Sequence, residues 1–384
     1  MKKLAIILIM FFIVFSTGCQ AVDVNDTSLP IGIGLDLVDD DQFKVSVQLA
    51  KPRAAEEGAG NDDEADFVVV SETGETLSMA SRNLMLTQTK VPLWTYTNVV
   101  VLGENLVSKD PAFYADMLAR NPNIRNNAML VVSKDISPED LLEIDTPLEP
   151  FSALGITKIL KIQETSLGIY VPVNIGDFIQ KIATPGVDLL IPIVTVIKKG
   201  DKELLKIDGA AVFAENKMLG HFNEKECRGY RLLNAGVQTG GLISIPSPGD
   251  PGKFIAIELL RSKTKIRPHI DQKGNISMSI KVEGEGNFYE QQTEKELLTL
   301  KTFPHLEKLI AQEIEKDIAL SIIRAQALNS DVFGWGQLVR SSYPKVWSEI
   351  EANWYDYFPD IKTNIEVDFS LRRSYLIDKT VQFR

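Results

Sequence analysis

The chain is expected to fold as an α+β protein of three domains, with mixed β-sheets flanked by helices, and three observations carry that expectation. About 366 residues remain once an eighteen-residue leader is removed, more than one compact core usually holds. Strand-like and helix-like stretches alternate through the first third, the pattern of a partly parallel sheet. Near the C-terminus a long amphipathic helix follows a hairpin, the pattern of a helix packed on an antiparallel sheet. The expected divisions are a leader (1–18), a tether (19–29), an N-terminal α/β domain (30–148), a middle α+β domain (149–238) and a C-terminal α+β domain (239–384).

The leader has a basic start, Lys2-Lys3, and an apolar run of twelve residues from Leu4 to Phe15. Small residues Ser16, Thr17 and Gly18 then precede Cys19. A charged start, a short apolar run and a small-residue cleavage site make a secretory signal. The run is too short to span the roughly 30 Å hydrocarbon core as a helix. Cysteine directly after the small residues resembles a lipobox, so Cys19 is expected to become the mature N-terminus and carry diacylglyceryl and N-acyl lipid. The rest of the chain is then extracytoplasmic, and no other cofactor is expected.

Composition narrows the partners. The chain holds 41 Lys and Arg against 52 Asp and Glu, a formal charge of −11 that becomes −13 without Lys2 and Lys3. Such a surface is repelled by phosphate backbones and anionic lipid heads, which argues against nucleic acid and leaves the attached lipid, not a basic patch, to hold the protein to the membrane. Only Cys19 and Cys227 are present, and a lipidated Cys19 leaves no intrachain disulfide. Cys227 is expected to be a small buried apolar group.

In chain order, Ile31–Asp36 and the alternating Phe43–Leu49 form a hairpin with one face buried. Ala54–Asp66 is a polar surface loop. Phe67–Val70 is a strand and Glu75–Leu86 a helix whose Leu77, Ala80 and Leu84 share one face. Thr97–Leu102 is a short buried strand ended by Gly103. Asp110-Pro111 opens a helix to Arg120, aspartate accepting orphan amides and proline fitting the first turn. Ala128–Val132 is the next strand, and Ser137-Pro138 caps a helix to Ile144. Thr146–Pro150 marks a domain edge. Beyond it come helices at 154–164 and 175–182, a strand at 189–197, paired strands at 207–213 and 218–220, and a helix from Asn223 through Cys227 to about Leu233.

Prolines and glycines between Ile243 and Lys253 mark the next boundary. A long strand, Phe254–Ile270, turns at Lys273-Gly274-Asn275 into Ile276–Val282. Pro304–Leu328 is the best helix in the chain, with Leu306, Leu309/Ile310, Ile314, Ile318, Ile322, Ala325 and Leu328 in one stripe. Its 25 residues span about 37 Å, enough to cross a sheet. Lys345–Phe358 reads as an aromatic helix and Ile361–Leu371 as the last strand.

A search for catalytic chemistry nominates no group. His221, His269 and His305 each stand alone, without the close-spaced ligands of a zinc site. No phosphate loop and no nucleophile elbow occurs. The chain is read as a non-enzyme with no direct small-molecule ligand. The densest local signal is aromatic: Phe333, Trp335, Tyr343, Trp347, Trp354, Tyr355, Tyr357 and Phe358. Two readings compete, a core sealing the long helix on its sheet or an exposed platform for a partner. The core reading is favoured because Trp347 and Trp354 are seven apart on one expected helix face, while Gly334 and Gly336 let backbone pass close beneath the rings.

The same residues carry a resemblance. Asp208-Gly209 leading into Phe213, Met218-Leu-Gly220, Glu226-Cys-Arg-Gly229, Asp331-Val-Phe-Gly-Trp-Gly336, Pro344-x-x-Trp347, Trp354 and Arg372-Arg373 follow one family's order. So do Gly32-Ile-Gly-Leu-Asp36, Val47-Gln-Leu49 and Arg120-Asn-Pro-Asn-Ile-Arg125 in the first domain. The chain resembles the GerAC-type, or Ger(x)C, lipoproteins, the C subunits of spore nutrient germinant receptors. It departs from their pattern at Ser16, Asn121 and Asn123.

The resemblance implies a lipoprotein on the outer face of the spore inner membrane. It implies two partners, a channel-like A subunit and a permease-like B subunit, and a role in receptor assembly or signalling during germination. Asp331, Phe333, Gly334, Trp335, Trp347 and Trp354 are the candidate interaction or family-motif residues. The competing reading is a lipid-anchored solute-binding protein of an uptake transporter, which needs two similar lobes around a cleft.

Overall fold

The computed structural model describes residues 23–39, 42–51, 65–109, 111–214, 217–234, 236–297, 299 and 301–374. Cys19, Asp110 and residues 54–64 of the expected polar loop lie outside them.

The first sheet begins with the expected hairpin, β1 (Thr27–Asp39) and β2 (Gln42–Ala50), extended by antiparallel β3 (Phe67–Gly74). α1 (Leu77–Asn83) starts at Thr76, whose hydroxyl accepts the Met79 amide, and buries Leu77 and Ala80. β4 (Val91–Pro92) returns beside the start of β1, and β5 (Val99–Gly103) runs parallel to β1. α2 (Glu104–Val107) and α3 (Ala112–Arg120) lead to β6 (Met129–Ser133), parallel to β5. α4 (Pro138–Glu143) is capped by Ser137 as expected. α5 (Ser152–Ser166), β7 (Val173–Asn174) and α6 (Ile175–Ile182) precede β8 (Leu190–Lys199), which is parallel to β6. β9 (Lys202–Ala214) and β10 (Lys217–Phe222) complete the sheet with antiparallel pairs.

The strand path is therefore β10-β9-β8-β6-β5-β1-β2-β3, with the two-residue strands β4 and β7 off this path, paired to β1 and β6. Alternate residues of a strand face opposite sides. Val100, Leu102, Leu130 and Val132 meet α1, α2, α3 and α6, whereas Val99, Val101 and Val131 meet α4 and α5. This corrects the one-sided hairpin: Ser46 and Gln48, expected to face water, are buried. Gln48 donates to the Leu142 carbonyl at 2.7 Å and accepts the Ala153 amide at 3.2 Å, tying β2 to the α4–α5 turn.

Thr146–Pro150 is not a break in the structure. Thr146 Oγ1 donates to the Glu149 carbonyl, closing a turn between two helices on the same sheet face. Strands from 30–148 and from 149–238 share one sheet, so the expected division between them coincides with no gap in the hydrogen-bond ladder.

α7 (Glu224–Leu233) joins this sheet to a second one made of β11 (Gly236–Thr239), β12 (Leu242–Pro246), β13 (Phe254–Ile270), β14 (Ile276–Gln291) and β15 (Lys362–Ser374). β11 and β12 both pair with β13, and β13 with β14, antiparallel. β15 lies parallel to β14, so the sheet is mixed where an antiparallel one was expected. A parallel neighbour needs a long crossover; residues 303–360 supply it. They contain α8 (Phe303–Ala327), α9 (Trp335–Ser342), α10 (Pro344–Ile350) and α11 (Trp354–Tyr357). α8 buries Leu306, Ile310, Ile314, Ile318, Ile322 and Ala325, the expected stripe. The expected single helix over 345–358 is broken, because a 3₁₀ turn at Glu351–Asn353 separates α10 from α11. One apolar core runs from α5 through α7 into the second sheet.

Candidate functional site: a buried aspartate between the two sheets

The Asp331–Gly336 motif sits where α8 ends and the chain turns back toward the first sheet. Leu328 closes α8 and Asn329 takes a left-handed φ of 47°, releasing the chain into the motif. Ser330 Oγ donates to the Phe213 carbonyl, which fixes the motif against β9.

Asp331 is fully buried. Its Oδ1 accepts the Trp335 amide at 2.9 Å, and its Oδ2 accepts the Gly336 amide at 2.8 Å and Trp354 Nε1 at 3.0 Å. Gly334 has φ +68°, left-handed backbone that suits glycine, and this bend aims the α9 amides at the carboxylate. The motif thus works as a long-range helix cap that also holds an indole.

A second carboxylate completes the arrangement. The Asp331 amide donates to Asp188 Oδ2 at 2.7 Å, and the Asp188 amide donates to the Asp331 carbonyl at 2.9 Å. Tyr355 Oη donates to Asp188 Oδ1 at 2.9 Å. Asp188 lies two residues before the start of β8, so these bonds clamp the 330–355 segment onto the first sheet. Burial pushes the Asp331 carboxyl up to about 7, with the Asp188 charge adding to the rise, while the Gly336 and Trp335 amides and the Trp354 indole oppose it.

Aromatic rings surround the pair. Phe333 stacks on Trp335 at 5.1 Å, Trp335 tilts against Phe358 at 5.6 Å, and Trp347 meets Trp354 edge-on at 5.3 Å. Trp335, Trp347 and Trp354 are all buried. A Cβ on Gly336 would lie 2.7 Å from Gly186 Cα and 2.9 Å from the Trp347 ring, so backbone meets backbone beneath an indole. The six motif residues are brought together, as an interior joint and not as an exposed platform. The broken α10–α11 segment, and not a shared helix face, pairs the two tryptophans.

The other motif residues are also packing devices. Asn223 and Glu226 form a reciprocal capping box at the start of α7. Cys227 is buried, and burial pushes its thiol well above the usual range, which makes it inert. Arg228 pairs with buried Asp317 of α8 at 2.6 Å. A Cβ on Gly229 would lie 2.1 Å from the Asp317 carbonyl oxygen, so glycine is what lets α7 and α8 touch. Gly32 and Gly34 let Ala153, Leu142 and Pro138 approach β1 in the same way.

Asp188 and Gly186 were not singled out in the sequence. Their only local signal is the Pro185-Gly186 turn before an apolar strand, which any loop could carry. His221, His269 and His305 lie exposed on β10, β13 and α8, and among the described residues no cluster of three His, Cys, Asp or Glu could hold a metal ion. An open groove of about 950 Å³ between α4 and the β8–β9 turn is lined by carboxylates and lysines of mixed sign and does not reach Asp331.

Comparison with known proteins divides the chain within the first sheet, between β8 and the middle of β9. Residues 20–196 match the spore germination protein N-terminal domain, and residues 208–375 match the spore germination B3/GerAC-like C-terminal domain. Spore germination protein KC of Bacillus subtilis is 24% identical over 99% of this chain and 98% of its own length. Spore germination protein B3 of the same organism is 24% identical over 97% and 98%, and GerQC of Bacillus cereus 24% over 96% and 98%. The crystal structure of the GerBC protein superposes with a TM-score of 0.57 at 19% identity, covering 88% of this chain and 96% of that one. The fold is shared along nearly its whole length, and the chain belongs to the spore germination B3/GerAC-like family.

Proposed function

We propose that this protein is a lipid-anchored, non-enzymatic subunit of a spore germinant receptor, acting in receptor assembly or signalling during nutrient-induced germination. The observation that carries the reading is end-to-end similarity to spore germination proteins of matching length. The motif residues build an interior joint, and the three histidines stand apart on the surface, so the motif chemistry of the sequence is spent on holding two sheets together. Such a body suits docking beside membrane-embedded partners, here a channel-like A subunit and a permease-like B subunit, on the outer face of the spore inner membrane. No helix among the described residues is long and apolar enough to cross a membrane, and Cys19 in its lipobox-like setting supplies the attachment. The solute-binding alternative requires two like lobes, whereas the two sheets differ in strand order and in their helices.

The test is Cys19→Ala in a spore-forming host. The expected outcome is loss of the protein from the membrane fraction and a strong reduction of nutrient-triggered germination. Full membrane retention with wild-type germination would remove the anchor reading. Co-purification with A and B subunits from spore membranes checks the partners.

A further inference from the structure

Exposed large apolar side chains are concentrated in one stretch of the chain, whose buried residues pack on one side of the first sheet. Met79, Met85, Leu86, Val91 and Tyr96 are between 39% and 83% exposed and fall within eighteen residues of one another. Single exposed apolar residues are ordinary, but a cluster marks a contact surface. The same stretch is free of acid: between Glu75 and Glu104 there is no Asp or Glu, in a chain that carries 52 of them. Its charges are Arg82 and Lys90, both basic. Trp94 and Tyr96 lie in the same stretch, the former half-buried against the core. Within this stretch, apolar, aromatic and basic side chains without carboxylates are the composition that meets an anionic headgroup layer, while exposed Asp23 and Asp26 lie at its edge, just before the Thr27 that pairs with Val91.

Position points to the same occupant. Val91 pairs with Thr27 and Pro92 with Ser28, and the Leu93 amide donates to the Ser28 carbonyl. Thr27 is eight residues beyond Cys19, and eight residues reach at most about 28 Å. A lipid on Cys19 therefore keeps Thr27, and with it Val91, within that reach of the bilayer.

We infer that the Met79–Tyr96 face docks on the anionic bilayer surface and acts with the Cys19 lipid as a second membrane contact; this rests on the anchoring reading above. Two contacts restrict how the body turns on its tether, and so fix which surface is presented to membrane-embedded partners. Ile162 on α5 provides the control. It is 62% exposed but belongs to a helix on the other face of the first sheet.

The experiment uses the full-length lipidated protein carrying either Leu86→Cys or Ile162→Cys, labelled with a nitroxide and reconstituted into phosphatidylglycerol–phosphatidylethanolamine vesicles. Cys227 is buried and does not compete for label. The ratio of collisions with oxygen to collisions with a nickel chelate is expected to be several-fold higher at position 86 than at position 162. Equal ratios in protein that floats with the vesicles would overturn the docked face and leave the anchor standing. Protein that fails to float would overturn both. Shielding of position 86 only in spore membranes containing the partner subunits would make the occupant a protein and overturn the lipid assignment.

Discussion

Asp331 shows how one side chain joins distant parts of the chain. Removing it leaves three buried N–H groups without an acceptor, each costing about 1–3 kcal/mol. Asp331→Ala should therefore destabilise the protein by roughly 3–5 kcal/mol, measured by denaturant unfolding; a loss below about 1 kcal/mol would mean the joint is idle. The pH dependence has a definite sign. The folded carboxyl lies near 7 against an ordinary value of 3.8, so the folded state holds this proton more firmly than the unfolded chain. The stability it contributes is complete below about 4 and is lost as pH rises through 7. Wild type should lose stability relative to Asp331→Asn between pH 4 and 8, and a gap that stays flat or moves the other way would show that the amides hold the group ionised. At this scale the sequence displayed the aspartate, the glycines and the tryptophans as a cluster, because they are close in the chain. Asp188 was hidden, since its partner is 143 positions away and hydrogen bonding at that separation leaves no local pattern.

Among the elements, the α8 stripe was readable because helical periodicity is set by backbone geometry alone. Ile314 lies in its middle and is 1% exposed. Ile314→Asp should cost several kcal/mol and abolish cooperative folding of the second sheet, followed by circular dichroism; a variant that melts like the parent would place the stripe outside the core. The contact of α7 with α8 was legible only as a motif whose glycine had no stated purpose. Gly229→Ala puts a methyl where the Asp317 carbonyl sits, and overpacking of this kind is expected to cost about 3 kcal/mol. An unchanged midpoint would mean the two helices separate freely. The aromatic helix was misread for a physical reason. Seven-residue spacing suggests one helix face, yet the 3₁₀ turn at Glu351–Asn353 intervenes and the tryptophans meet through a bend.

For the whole molecule, one sheet passes through what composition divides into two domains, and one apolar core continues from that sheet into the next. A shared core couples the unfolding of both parts. Calorimetry should show a single main transition for the wild type, and Asp331→Ala should split or broaden it; two well-separated transitions in the wild type would mean that the joint carries little coupling. The sequence by itself determined the acidic net charge, most strands and helices, the α8 stripe and the family resemblance. Each of these depends on side chains near one another in the chain, or on composition. Only the tertiary structure decided that β8–β10 extend the first sheet, that Gln48 faces inward, that β15 runs parallel to β14, and that Asp188 meets Asp331. These depend on which surfaces meet across a hundred or more residues, and such pairings are chosen by the global burial of apolar faces and by satisfaction of buried polar groups, which no local window records.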